Sequence, residues 1–126
     1  MSKQIIQSYK VPAPIGPYSQ AVIANGFLFA SGQIAFDPAT GELVLSSIEA
    51  ETTQVMENIK AILDEAKINF DHIVKTSIFL SSMDLFAAVN QVYGSYFSAD
   101  FPARETVAVK GLPRNVNVEI SITAMM

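Results

Sequence analysis

Arg104 is the residue whose type and position best suit the binding of a small acid. It is one of two arginines in the chain and lies at the start of a predicted strand, within the segment Phe101 to Val107. A guanidinium group there could hold a carboxylate through two parallel hydrogen bonds. The competing explanation is an ion pair at the surface, for example with Glu105. Residue type alone leaves both explanations open.

Glu119 is the candidate for proton transfer. It lies on the polar side of an otherwise apolar strand, and a carboxyl group in a half-enclosed cleft has a raised pKa. Such a group can hold a water molecule or act as a general acid–base. An exposed carboxylate on a half-buried sheet would show the same alternation, so the pattern does not decide between the two.

Three further positions could contact a ligand. Tyr18 offers a hydroxyl group on a proline-rich loop, although a tyrosine packed beneath the prolines is the ordinary explanation. Ser31 and Gly32 end a strand, where the glycine could bring a backbone amide close to a ligand or simply form a β-bulge. Asn90 lies in a predicted helix, where an asparagine is ordinarily solvated.

Several other kinds of site are excluded. The chain has no cysteine, which rules out disulfides, zinc–thiolate sites, iron–sulfur clusters and thiol nucleophiles. Its single histidine, His72, rules out a multi-histidine metal site, and we expect it to cap the strand that follows. Neither a glycine-rich phosphate loop nor a GxSxG nucleophile motif occurs in the sequence.

Composition indicates one small domain, spanning residues 1–126, that associates with copies of itself. Half of the residues are apolar and 16% are charged, so few polar groups remain to cover the surface of a monomer. The formal charge of −4 argues against nucleic acid or an anionic membrane as the main partner, because both attract basic surfaces. No apolar run is long enough for a signal peptide or a membrane span, and we therefore expect a cytoplasmic protein.

Strands and helices must hold these candidate residues in place. A short strand is predicted at Ile5 to Tyr9, and the prolines between Val11 and Pro17 predict an extended loop. A hairpin follows, with a turn at Asn25-Gly26. The segment Ile73 to Leu80, rich in β-branched residues, is predicted to be a buried strand.

Two amphipathic helices are predicted. The first opens with a capping box at Ser46 to Glu49, and Glu51 belongs to its solvated face. The second extends from about Asp84 to Phe97. The apolar positions of the first helix recur at helical spacing and are Ile48, Val55, Ile59, Ile62, Leu63 and Ala66.

Two strands complete the chain, Ala103 to Lys110 and Val116 to Ala124, the second with strict alternation of apolar and polar residues. The order of elements predicts an α+β fold, a mixed β-sheet with two helices packed on one face. Two helices cover only one face of a sheet. The other face must meet water or another subunit.

Taken together, these residues resemble the RidA (YjgF-type) family of reactive intermediate deaminases, also described as enamine/imine deaminases. The tyrosine loop and the segment ending in Arg104, in this order and spacing, make the resemblance specific. The matching segments cover nearly the whole chain and are Ala13 to Ala21, Phe29 to Ile34, Gln54, Asn58-Ile59, Asn90, Tyr93, Tyr96-Phe97, Phe101 to Arg104, Leu112-Pro113 and Val118 to Ile120.

The resemblance implies a chorismate-mutase-like fold assembled as a homotrimer, with clefts between subunits. It implies hydrolysis of 2-imino acids, released as enamines such as 2-aminoacrylate by pyridoxal-phosphate-dependent dehydratases, to 2-keto acids and ammonia. The specific activity would be that of a 2-iminobutanoate/2-iminopropanoate deaminase. The family needs no metal and no other cofactor, and we expect none here.

The resemblance also assigns roles to the residues that bind the substrate. Arg104 would hold the substrate carboxylate through both guanidinium nitrogens. Ser31, the backbone amide near Gly32, and Asn90 would help to orient it.

The remaining roles concern the water molecule. Glu119, with a backbone carbonyl near Thr106, would hold a water beside the imine carbon, and Tyr18 of an adjacent subunit would close the pocket. Attack gives a carbinolamine, and return of the proton to nitrogen expels ammonia. One positioned acid–base group, worth ~10²–10⁴-fold, could suffice because free imines already hydrolyse in water. Many relatives carry a cysteine where this sequence has Thr106, so thiol modification is impossible here.

Two other functions stay open. The same cleft could bind a 2-keto acid or a related carboxylate without turnover, in which case Glu119 would be dispensable for binding. A ribonuclease or translation inhibitor is the other, since that activity is ascribed to some family members. The acidic balance and the lack of a histidine pair count against it.

Overall fold

A computed structural model of the chain, which describes residues 2–126, contains a mixed sheet and two α-helices. The sheet has the strand order β1-β2-β3-β6-β4-β5, and every neighbouring pair is antiparallel except β4 and β5, which are parallel. The last strand of the chain therefore lies between β3 and β4. The elements are β1 (Gln4–Ile6), β2 (Ala21–Ala24), β3 (Phe27–Gln33), α1 (Ile48–Glu65), β4 (Ile73–Leu80), α2 (Phe86–Gly94), β5 (Ala103–Ala108) and β6 (Val118–Met125), with 3₁₀ turns at Phe70–His72, Met83–Leu85 and Pro113–Asn115.

The core lies between the helices and one face of the sheet. Alternate residues of β6, from Val118 to Ala124, are buried and belong to the same apolar cluster as Val55, Ile59 and Ile62 of α1. This confirms the predicted α+β fold and the predicted alternation in the last strand. The homotrimer stays a prediction.

The opposite face of the sheet carries apolar side chains that no helix covers. Ile5, Val22, Phe29 and Thr123 are cross-strand neighbours in one row, and Phe27 lies opposite Met125 in the next. We call this surface the uncovered face. Its exposed large apolar residues are Ile5, Phe27, Phe29, Val107 and Met125.

The predicted hairpin is confirmed. Asn25 and Gly26 connect β2 to β3, and both have a positive φ, 55° and 83° respectively. A two-residue turn with positive φ at both positions matches the twist of the flanking strands, and the Asn-Gly pair adopts it at little cost.

The first strand is shorter than predicted. It ends at Ile6 and does not reach Tyr9, because Gln20 draws the chain away from the sheet. The buried side chain of Gln20 accepts a hydrogen bond from the backbone N–H of Ser8 at 2.7 Å. It also donates to the carbonyls of Ser8 and Pro12 at 3.2 and 3.1 Å.

Helix α1 begins one residue later than a capping box at Ser46 requires. Ser47 is the N-cap and its hydroxyl accepts from Ala50 N–H at 3.0 Å. The third helical residue is Ala50, which cannot reach back to the cap, so the predicted box was wrong. The apolar face is confirmed, because all of its predicted members except the half-buried Ile48 are buried.

Glu51 is the clearest failure of the helix prediction. It was expected on the solvated face but is 1% exposed. Its carboxylate accepts hydrogen bonds from residues at the start of β6. The spacing of apolar residues along a helix cannot predict such donors, because they come from a distant strand.

Helix α2 is shorter than the predicted span from Asp84 to Phe97. A 3₁₀ turn capped by Ser82 precedes it, and the chain leaves the α-helix after Gly94. Beyond that point Tyr96 and Phe97 donate to carbonyls three residues back, as in a 3₁₀ turn. None of the helices within residues 2–126 has the length and apolar character that a membrane span requires.

Candidate active site

Arg104 lies on the edge strand β5 and points towards α2. Its Nη1 donates a hydrogen bond to Asn90 Oδ1 at 2.7 Å. Its guanidinium carbon lies 5.2 Å from the ring centre of Tyr93 and 5.6 Å from that of Phe86. Two aromatic rings and one amide therefore fix the orientation of the cation, and a guanidinium has further N–H donors to offer a ligand.

The surface ion pair with Glu105 does not form. Glu105 pairs instead with Lys75 at 2.9 Å and accepts from the hydroxyl of Ser77, on the other face of the sheet. Arg104 is held by Asn90 instead. An asparagine in a helix is ordinarily solvated, so this contact differs from the ordinary expectation.

A cleft of ≈ 390 Å³ opens beside Arg104. One wall is aromatic and the floor carries the cation, an arrangement that suits a small carboxylate with a short apolar substituent. The lining residues are Asn90, Tyr93, Gly94, Phe101, Pro102 and Arg104.

Tyr93 is a site residue to which the sequence assigned no role. Its hydroxyl lies 2.9 Å from Thr76 Oγ1 while its ring stacks beneath Arg104. Burial raises the pKa of Tyr93, and the Thr76 hydrogen bond and the Arg104 charge offset part of that rise. The available signal was its spacing of three residues from Asn90, which places both on one face of a helix.

Glu119 lies against Gly32 on the neighbouring strand. A Cβ atom at position 32 would come within 2.8 Å of Glu119 Cδ, so only glycine leaves room for this carboxyl group. Burial raises the pKa of Glu119. A half-buried carboxyl group with a raised pKa is suited to accept and return a proton near neutral pH.

Arg104 and Glu119 lie on opposite faces of the sheet within one chain. Arg104 is in register with Thr76 and, through it, with Ile122 on the helix-covered face. Glu119 is in register with Phe79, three residues along from Thr76, and side chains alternate between faces. A single copy of the chain therefore presents two separate parts of the predicted site.

Thr106 belongs to the part that contains Arg104, because the two are two residues apart on β5. Its hydroxyl oxygen is buried and has no hydrogen-bond partner among the residues described. Buried polar atoms are rarely left so, and a bound ligand is one way to satisfy this one.

Tyr18 and Ser31 belong to the other part. They line a shallow depression of ≈ 410 Å³ together with Val22 and Phe29 of the uncovered face. Ser31 Oγ donates to the Ser19 carbonyl at 2.6 Å, which ties the tyrosine loop to β3. The register shift between Ala30 and Gln33 agrees with a β-bulge, which was one of the two alternatives at Ser31-Gly32.

His72 ends a 3₁₀ turn directly before β4, and its side chain caps this turn and not the strand that it was expected to cap. Its Nδ1 accepts from Asn69 N–H at 3.2 Å, and Asn69 in turn accepts from Asp71 N–H. Across residues 2–126, no three His, Asp or Glu side chains come together as metal ligands would.

Comparison with known proteins identifies the family. The family model described as Endoribonuclease L-PSP matches residues 8–126. A RutC family protein of Synechocystis, slr0709, is 48% identical over 128 residues, covering 100% of this chain and 98% of that protein. The solved structure of YyfA from Yersinia pestis, of the Rid protein family, superposes with a TM-score of 0.97 at 46% identity, covering 99% of this chain and 100% of that one. The chain belongs to the RidA (YjgF-type) family.

One member of the RidA family is named for a chemical activity. Reactive Intermediate Deaminase A, chloroplastic, of Arabidopsis thaliana is 40% identical over 126 residues, covering 100% of this chain and 67% of that protein. The family model carries the name of an endoribonuclease instead. Family names thus point to more than one activity, and the choice among them rests on the site.

Proposed function

We propose that this RidA-family chain hydrolyses small 2-imino acids, such as 2-iminopropanoate and 2-iminobutanoate, to 2-keto acids and ammonia. The observation that carries the proposal is the guanidinium of Arg104, held by Asn90 between two aromatic rings at the floor of a small cleft. A fixed planar cation in such a cleft binds a carboxylate in one orientation. The name of the Arabidopsis relative supports the same class of substrate.

The complete site would form between two copies of the chain. Within one copy, Arg104 and Asn90 lie on the helix-covered face, whereas Glu119 lies on the other. Tyr18 and Phe29 border the uncovered face, where 55% and 49% of their surface is exposed. Association through this apolar face, in the homotrimer that the family resemblance implies, would bring the two parts together.

In the proposed reaction these residues bind the substrate, transfer protons and close the pocket. Arg104 binds the carboxylate and presents the imine carbon. Glu119 takes a proton from a water as the water oxygen bonds to that carbon, and passes this proton to the nitrogen, which gives a neutral carbinolamine. Glu119 then takes the proton of the carbinolamine hydroxyl and delivers it to the amino nitrogen. The C–N bond breaks as the C=O bond forms, and ammonia and the 2-keto acid leave. Tyr18 closes the pocket, and Thr106 offers its unpaired hydroxyl to the ligand.

The proposed supplier of the substrate is a pyridoxal-phosphate-dependent dehydratase, which releases 2-aminoacrylate or a homologue. We propose the cytoplasm, where such dehydratases act, as the location. These assignments follow from the reactivity of enamines, which must be intercepted near their source.

The test follows decay of the imine formed in situ from serine by a dehydratase, read by its ultraviolet absorbance or by capture with semicarbazide. Arg104→Ala should lose at least about 10- to 100-fold in kcat/KM, the value of a charged hydrogen bond. Arg114→Ala is the matched control, because that arginine stacks 5.1 Å from the ring centre of Phe36 and lies outside both parts of the site. Equal loss in both variants, or no acceleration by the wild type, would refute the proposal.

A second pair of variants tests whether the Glu119 carboxyl group needs the space beside Gly32. Gly32→Ala should displace this carboxyl group and remove most turnover, whereas Gly111→Ala, whose added Cβ meets nothing within 4 Å, should leave it intact.

The two competing functions give different outcomes. A binding module would retain a 2-keto acid in an Arg104-dependent way, and neither the wild type nor Glu119→Gln would turn imine over. An endoribonuclease, as the family model is named, would cleave RNA, and the cleavage would fall steeply in Arg104→Ala.

A further inference from the structure

Glu51 is a buried carboxylate for which the proposed reaction has no use. It lies in the first turn of α1, is 1% exposed, and accepts three hydrogen bonds. Its Oε2 accepts from the backbone N–H groups of Asn117 and Val118 at 2.7 and 3.2 Å. Its Oε1 accepts from Asn117 Nδ2 at 2.9 Å. The helix N-terminus favours the negative charge at this place.

Asn117 is also fixed from the other side. Ser81, directly after β4, donates from its backbone N–H to the Asn117 carbonyl at 2.9 Å. Its hydroxyl donates to Asn117 Oδ1 at 3.0 Å. The start of β6 is therefore held by α1 and by the end of β4 at once.

Glu119 is the next residue along this strand. Its carboxyl group occupies the space left by the missing side chain of Gly32, with Cδ 2.8 Å from the place of a Cβ. The carboxyl group lies this close to the Gly32 backbone because β6 is placed beside β3 at this point. A shift of the strand at Asn117 and Val118 would change the position from which the Glu119 side chain starts.

We propose that Glu51 is the positioning residue for Glu119, holding the first residues of β6 so that the Glu119 carboxyl group seats over Gly32. The catalytic part of this inference rests on the proposed function, while the positioning itself does not. Without the Glu51 carboxylate, two backbone N–H groups and one amide lose their acceptor inside the protein. The strand must then move to find other partners.

Three substitutions separate positioning from charge. Glu51→Ala removes all three acceptor contacts. Glu51→Asp keeps the charge but draws the oxygens back by one methylene. Glu51→Gln keeps the length, and its carbonyl oxygen can accept from both backbone N–H groups. Its amide can face a turned Asn117 side chain, since the hydroxyl of Ser81 is exposed and can bond to water instead.

The first measurement is turnover of the in situ imine by folded protein. Glu51→Ala and Glu51→Asp should lower kcat by at least about tenfold with KM changed less than about threefold, because the substrate carboxylate is held elsewhere. Glu51→Gln should restore kcat to within about threefold of the wild type. Ile62→Val, a buried change about three turns further along the same helix, controls for loss of stability alone and should keep kcat.

The second measurement needs no turnover. The ¹³C signal of the Glu119 carboxyl group, assigned from Glu119→Gln, is titrated with pH in each protein. The charged groups of neighbouring β4 and β5 on this face, Lys75 and Glu105, pair with each other. Burial raises the pKa of Glu119 in the wild type. This pKa should fall towards its ordinary range in Glu51→Ala and Glu51→Asp, and it should stay raised in Glu51→Gln.

These readouts distinguish the two levels of the inference. The Glu119 signal could move in Glu51→Asp but not in Glu51→Gln while the wild type shows no turnover. This result would support the positioning role and refute the deaminase function. A folded Ala or Asp variant with wild-type kcat and an unmoved Glu119 signal would overturn the inference. Should Glu51→Ala fail to fold, Glu51→Asp carries the test alone.

Discussion

Two glutamates on the uncovered face differ in the direction of their pKa shifts. The pKa of Glu119 is raised, because burial disfavours its charged form. The pKa of Glu105 is lowered, first by the Ser77 hydrogen bond and then by its contact with Lys75. Position on the same sheet face therefore does not determine the protonation behaviour. The local environment of each carboxyl group does.

The two shifts predict opposite effects of pH on stability. A raised folded-state pKa contributes stability at acidic pH that is lost as pH rises through that pKa. Glu119→Gln should therefore have a higher Tm than the wild type above the pKa of Glu119, and the difference should vanish near pH 4. Glu105→Gln, the control, should have a lower Tm at neutral pH, with a difference that shrinks as pH falls. Thermal unfolding from pH 4 to 8 measures both, and the same sign for both variants would contradict the assignment.

At this scale the sequence identifies residue types better than their environments. Arg104 and Glu119 were singled out from their positions in strands, and in the structure one lies between two aromatic rings and the other is a half-buried carboxyl group. Glu51 was misplaced, since its acceptor role depends on Asn117 and Val118, about 66 residues away in the chain. The spacing of apolar residues predicts which face of a helix packs against the core. It does not predict N–H donors that come from the end of a distant strand.

A buried hydrogen bond links α2 to the sheet, beside the contact between Asn90 and Arg104. Tyr93 on α2 and Thr76 on β4 share it at 2.9 Å, and the Tyr93 ring lies beneath Arg104 on β5. Three elements thus meet at one side chain. The orientation of the guanidinium depends on how firmly α2 is held.

Replacing Tyr93 by Phe should lower the free energy of unfolding by about 1–3 kcal/mol, because Thr76 would keep a buried hydroxyl without a partner. Adding Thr76→Val removes that hydroxyl and should recover part of the loss. Urea denaturation of the two single variants and the double variant gives the coupling. Strictly additive losses would mean that the two hydroxyl groups do not depend on each other.

The sequence predicted which elements exist more accurately than where they end. The Asn25-Gly26 hairpin and the strand Ile73–Leu80 were located well, because local turn chemistry and β-branched composition determine them. The short β1 and α2 were overestimated. The end of β1 is set by the contact with Gln20, which lies outside the strand, and that of α2 by the local 3₁₀ hydrogen bonds after Gly94.

Association through the uncovered face is a property of the whole molecule. Phe29 is 49% exposed there and lines the depression with Tyr18. Phe29→Asp should give a monomer by light scattering, because burying an unpaired charge in an interface is costly. Turnover should fall at least about 10²-fold as the two parts of the site separate.

Met83→Asp is the control for that prediction. Met83 is exposed to a similar extent, 47%, but lies in the turn before α2, away from the uncovered face. It should keep both the assembly and the activity. An active Phe29→Asp monomer would show that one copy contains a complete site. The sequence anticipated an unpaired apolar face, whereas the division of the site between two faces emerged only from strand register.

The position of β6 has a consequence for how the chain folds. This strand follows the other five strands in the sequence, yet it lies between β3 and β4 at the centre of the sheet. Until β6 pairs with both, β1-β2-β3 and β4-β5 are two separate sets of strands with exposed inner edges. The centre of the sheet is therefore built from pairings between residues far apart in the sequence, and such pairings slow folding.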